Sequence, residues 1–132
     1  MASAPDPSVV GESVSFTATV TPVSPGAGTP TGTVDFVIDG NTLTGTLSGG
    51  TATVSTSTLD AGTHNVFATY NGDADFSSSV GTDTQTVNQA STTTAVTSAP
   101  DPSVFGETVT FTATVAVTSP GAGSPTGTVV FV

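Results

Sequence analysis

The chain has 132 residues, a net charge of −10, and no lysine, arginine, cysteine or tryptophan. Without cationic side chains it cannot grip phosphates or an anionic bilayer, which argues against nucleic acid and a membrane surface as partners, and without cysteine it has neither a disulfide nor a thiolate metal site. No apolar run reaches the ~18 residues that a membrane span needs, so membrane insertion is not expected either, and the acidic charge is left to serve solubility or divalent cations.

Only 35% of residues are hydrophobic and 8% are charged, yet the apolar residues are spaced as in a folded chain. They alternate with Thr and Ser between Gly/Pro punctuation, which argues against disorder. Val14, Phe16, Ala18 and Val20 alternate with Ser13, Ser15, Thr17 and Thr19, the period of a strand with one buried face. A Gly/Pro/Ser loop follows from Pro22 to Pro30. Val34, Phe36 and Ile38 then form a second such face, closed by a turn at Asp39-Gly40. Leu43 and Leu47 flank a weak edge strand. Gly49-Gly50 signals a hairpin into a strand with Ala52 and Val54. Val66, Ala68 and Tyr70 share a face with His64, and Ser79 to Asn88 is a closing strand that buries Val87. Thr92 to Thr97 is again extended, followed by Val109, Phe111, Ala113 and Val115 and then Val129 and Phe131. No stretch has a helical period. Short strands separated by turns predict an all-β sandwich or barrel.

The chain also repeats itself. Ser3-Ala4-Pro5-Asp6-Pro7-Ser8-Val9 recurs as Ser98-Ala99-Pro100-Asp101-Pro102-Ser103-Val104, a shift of 95 positions that holds without a gap to Val37 and Val132. A unit of this size is one β-sandwich, far longer than a solenoid repeat. The frame predicts a first module over residues 1–90 that lacks most of its opening strand, and the first three strands of a second over residues 91–132, joined by Gln89-Ala90-Ser91. Met1-Ala2 does not begin a signal peptide. The expectation is an excised piece of a secreted parent whose signal lies upstream.

Gly11 to Ala18 resembles the second strand of immunoglobulin domains, with Ala18 in place of the first cysteine. Leu59 to Val66 resembles the approach to the sixth strand, with His64 in place of the corner tyrosine and Val66 in place of the second cysteine. Phe36 stands where the core tryptophan would be. The resemblance implies a core of Ala18, Phe36, Val66 and Tyr70 held by packing instead of a Cys–Trp–Cys pin. Pro30-Thr31-Gly32-Thr33-Val34, Gly62-Thr63-His64, Ala68-Thr69-Tyr70-Asn71-Gly72-Asp73 and Phe76 resemble the bacterial immunoglobulin-like repeat domains of large surface proteins. That resemblance implies an immunoglobulin-like antiparallel β-sandwich in a tandem array on a secreted or cell-surface protein, with neighbouring modules of the same kind as partners.

Few residues suggest chemistry. His64 is the only histidine, and a triad would need a nucleophile and an orienting carboxylate such as Asp60 beside it. The corner position already accounts for it through a bond to nearby backbone. Asp73 and Asp75 are candidates for calcium. An EF-hand needs a longer ligand series ending in glutamate, and none follows, so a polar turn whose side chains bond their own backbone is the plainer reading. No cofactor is expected. Asp6, Glu12, Asp101 and Glu107 lie near the junction and read as solvated loop charges. With no lysine, internal Lys–Asn crosslinks are excluded.

The expected function is a structural spacer or stalk module, adhesin-like and extracellular, and not an enzyme. The alternative is a module that binds a glycan or protein through loops at one end. Residues 98–132 are expected to pair with another chain or to lack order, with strand exchange through Thr92 to Thr97 as one route to self-association.

Overall fold

A computed structural model describes the whole chain, residues 1–132. Along most of the chain the backbone is extended where apolar residues alternate with Ser and Thr, giving ten strands and no helix: β1 (Ala2–Ala4), β2 (Ser8–Val9), β3 (Val14–Thr19), β4 (Thr33–Ile38), β5 (Asn41–Thr46), β6 (Thr51–Thr56), β7 (Gly62–Tyr70), β8 (Ser79–Asn88), β9 (Thr92–Ala99) and β10 (Thr110–Val117). One sheet has the order β1-β3-β6 and a second β2-β8-β7-β4-β5; β9 and β10 pair as a separate hairpin. All pairings are antiparallel except β2 with β8.

The two sheets close on each other because their inner faces are apolar. Val14, Phe16 and Ala18 of β3 and Ala52 of β6 meet Val34, Phe36 and Ile38 of β4 and Val66, Ala68 and Tyr70 of β7 in one cluster, with Leu47 at its rim. The residues between them face water and bond across strands, as Thr17 Oγ1 does to Thr53 Oγ1 at 3.2 Å and Thr44 Oγ1 to Asp35 at 2.6 Å. Threonine suits that wet face because its branched stem packs on the pleat while its hydroxyl stays solvated.

The turn at Asp39-Gly40 sets the register of β4 and β5. Both residues have positive φ, 50° and 82°, the conformation of a two-residue hairpin whose twist matches its strands. Ile38 therefore faces Asn41, and every later pair follows to Thr33 and Thr46. The edge strand starts directly after this turn, so Leu43 lies inside it and only Leu47 lies beyond it, buried and donating its N–H to Gly32 O at 2.9 Å.

The start of the chain is divided between the sheets. β1 pairs with β3, and the chain then crosses so that β2 runs parallel to β8. Gln85 of β8 holds the crossover. It is fully buried, and its Nε2 donates to Pro5 O at 3.0 Å and Ser8 Oγ at 3.1 Å. The period-two pattern carries no sign of this switch.

The β9–β10 hairpin repeats the β1–β3 pairing 95 positions later: Ala4 faces Ser15 and Ala99 faces Thr110. β9 is eight residues long where β1 is three. Residues 128–132, expected as a third strand, form none. The corresponding β4 is laddered on both sides, by β5 and β7, and without such partners an isolated segment cannot satisfy an extended backbone.

Phe16 and its repeat counterpart Phe111 separate sequence from environment, because Phe16 is 0% exposed and Phe111 60% exposed. Phe16→Ala is expected to destabilise the first module by about 3–5 kcal/mol through lost burial and a cavity. Phe111→Ala is expected to change its stability by less than ~0.5 kcal/mol. Urea titration of both variants checks the contrast.

Candidate functional site

Each end of the first module is closed by one polar cluster. At the end where β4 turns into β5 and the chain enters β7, His64 is buried with its ring between two acceptors. Nδ1 lies 2.5 Å from Asp39 Oδ2, and Nε2 lies 2.8 Å from Asp60 O. The backbone bond four residues upstream is what the corner position implied. Asp39 is the partner that sequence reasoning missed, since Asp39-Gly40 carried only a turn signal.

A carboxylate and a carbonyl both accept, so both ring nitrogens can donate only when the ring is protonated, and this setting favours the imidazolium. Burial pulls its pKa down, but the Asp39 hydrogen bond, the Asp60 carbonyl and the two aspartate charges outweigh it, and the net shift is upward. In that protonated form the ring has no lone pair for a serine proton or a metal. The adjoining cavity is lined by Asp39, Asn41, Thr56, Thr58 and Asp60, with no serine. The arrangement ties two loops together.

At the opposite end, Asp73 does the same for the β7–β8 loop. Its Oδ2 accepts from Thr31 N at 2.8 Å and Thr31 Oγ1 at 2.9 Å, and its Oδ1 accepts from Asp75 N at 2.9 Å and Phe76 N at 2.8 Å. The Thr31 and Asp75 N–H groups, opposed by partial burial and aided by the Thr31 hydroxyl and Phe76 N–H, hold this carboxyl well below the usual carboxylate range. Tyr70 donates to Thr31 O at 2.8 Å, and burial together with the Asp73 charge pushes its phenol up. All four donors aim at Asp73, while Asp75 is exposed on the rim of a groove with Val23, Ala27 and Phe76. No group of three or more His, Asp or Glu residues is placed to hold a metal ion.

Three of the four acidic residues near the junction have individual partners. Asp6 Oδ1 accepts from Thr86 N at 2.9 Å. Glu12 Oε2 accepts from Val9 N, and Glu107 Oε2 from Val104 N, each at 3.0 Å. The glutamates are thus parts of turns as well as solvated charges; an acceptor three residues after an N–H is the signal for such a turn. Ala18, Phe36, Val66 and Tyr70 all lie in the buried cluster.

The third site is the junction. Between β8 and β9 there are only Gln89, Ala90 and Ser91. Val10 N donates to Asn88 O at 2.9 Å, Ala122 N to Val10 O at 3.1 Å and Thr118 N to Ser91 O at 2.8 Å. The Pro120–Pro125 loop therefore rests on the Val10-Gly11 turn, and Ala61 from the His64 corner lines the same crevice. This loop-on-turn contact has no signature in composition or period.

The His64 contact has a pH dependence of definite sign. A folded pKa raised above the ordinary ~6.5 contributes stability that is complete below that value and is lost as pH rises through the folded value. The urea midpoint of the chain is expected to fall as pH rises from about 6 towards 8. His64→Gln is expected to flatten that slope and lower the midpoint at acid pH. A slope unchanged in the variant assigns it to another group.

No curated protein and no solved structure matches the chain. The family model described as "Bacterial Ig-like domain (group 3)" matches residues 1–88, the span of the two-sheet sandwich from Met1 to the end of β8. The chain belongs to the bacterial Ig-like domain (group 3) family.

Proposed function

We propose that the chain is a structural spacer, a run of sandwich modules that projects another part of a secreted or cell-surface, adhesin-like protein. Bacterial Ig-like domains commonly occur in surface proteins, and no helix of this chain is long and apolar enough to cross a membrane. The observation that carries the reading is the junction. A linker of three residues and a backbone bond from Ala122 N to Val10 O hold the second repeat at the end of the first sandwich, which suits a rod better than a tether of independent domains.

In this reading the chain is not an enzyme. The polar clusters at His64 and Asp73 each spend their hydrogen-bonding capacity on loops of the same module. They act as loop staples and need no cofactor. Their task is to keep both ends of each sandwich in a fixed shape, so that modules can stack in a fixed relation.

Single-molecule stretching of an array of this 95-residue unit tests the proposal. Unfolding is expected in repeated steps of about 30 nm, the extended length of one unit less its folded length. A force trace with no such period contradicts it.

A further inference from the structure

The junction contact is made of parts that occur twice in the chain, once engaged and once free. The engaged turn is Val9-Val10-Gly11-Glu12. Glu12 N donates to Val9 O at 3.0 Å, and the Glu12 carboxylate accepts from Val9 N at 3.0 Å. Gly11 has φ +84°, and a Cβ there would lie 2.5–2.8 Å from the backbone O, N and C of Ala122. Only a hydrogen fits at that point, so the Ala122 backbone sits directly on the glycine.

The free turn is Val104-Phe105-Gly106-Glu107. Glu107 N donates to Val104 O at 3.0 Å, and the Glu107 carboxylate accepts from Val104 N at 3.0 Å. Gly106 also has φ +84°, yet nothing lies within 4 Å of the place where its Cβ would be. The turn therefore keeps its shape without an occupant. A surface formed in advance loses little freedom when it is filled.

The loop that fills the engaged turn is duplicated in the same way. Gly121 N donates to Thr118 O at 3.1 Å, and in the first module Gly26 N donates to Val23 O at 2.9 Å. Gly123 and Gly28 share φ values of +114° and +116°. Val23 is 86% exposed, and Ala27, the counterpart of Ala122, is exposed too. The turn precedes β3 and the loop follows it, so the two surfaces lie at opposite ends of one module. Contacts of this head-to-tail kind do not pair off but extend in a line.

We infer that the Gly11 turn is a socket for the Pro120–Pro125 loop, and that the free Gly106 turn is the same socket for the corresponding loop of a further module of this kind, joined through an equivalent short linker. The inference rests on the spacer reading and names its partner. One backbone hydrogen bond is too weak to hold separate molecules, and the three-residue linker supplies the effective concentration that it lacks. The joint is thereby directional and tolerates no side chain at its contact point.

Amide exchange of the chain, alone and extended by a second copy of residues 38–132, tests this. The extension keeps the 95-residue frame and sets a third loop beside Gly106. Ala122 N–H is expected to be protected in both chains. Gly11→Ala should speed its exchange several-fold while the Phe16 and Phe36 amides stay protected. In the unextended chain Gly106→Ala places the same strain on its backbone but should leave Ala122 unchanged. In the extended chain Gly106→Ala should expose only the Ala122 counterpart 95 positions later. Should Gly11→Ala unfold the module, Ala122→Pro removes the donor without touching the turn and should broaden the X-ray scattering distance distribution. An Ala122 amide already as fast as an open loop, an unchanged distribution, or a counterpart indifferent to Gly106→Ala would each overturn the inference. A spacer with loose joints would still unfold in regular steps under force, so the two readings can fail separately.

Discussion

Burial between two sheets is the interaction on which the rest of the molecule depends, because the chain has no covalent means of joining them. It contains no cysteine to cross-link and no lysine to form an amide bridge. Eleven buried apolar residues from Val14 to Tyr70 make up the contact, and each must be correctly placed since a one-residue slip would turn its face outward. The β4–β5 turn, the Gln85 bonds and the alternation itself all serve that register.

The core leaves the ends of the sandwich to polar groups. At one end an imidazolium joins the β4–β5 turn to the approach to β7, and at the other a carboxylate joins the start of β4 to the β7–β8 loop. The His64 ring nitrogens and the Asp73 carboxylate are partnered from within the module, which suits them to fixing loop shape. Ala61, next to the His64 acceptor Asp60, lines the junction, so the staple and the joint are parts of one surface.

Most of the sandwich was legible in the sequence because burial leaves a period-two trace. Val14, Phe16, Ala18, Val34, Phe36, Ile38, Val66, Ala68 and Tyr70 could all be assigned an inward face. What was not legible has no periodic trace. The opening strand changes sheets through Gln85, whose role depends on Pro5 and Ser8 brought close from the far end of the chain. Asp39 meets His64 across 25 positions. Residues 128–132 have the sequence pattern of a strand but lack the neighbours that make one, so their pattern alone misleads. The Gly11–Ala122 contact involves two small residues whose meaning lies in how closely two backbones approach.

A stalk transmits shape only where successive modules hold a fixed relation to one another. The absence of cysteine allows two spin labels to be placed without background, through Thr42→Cys on exposed β5 and Thr112→Cys on exposed β10. A pulsed electron–electron distance measurement between them then reads the joint directly. A single narrow distance distribution is the predicted result. A broad one, of the width given by a freely jointed three-residue linker, would mean that the modules move independently and that the joint is not fixed.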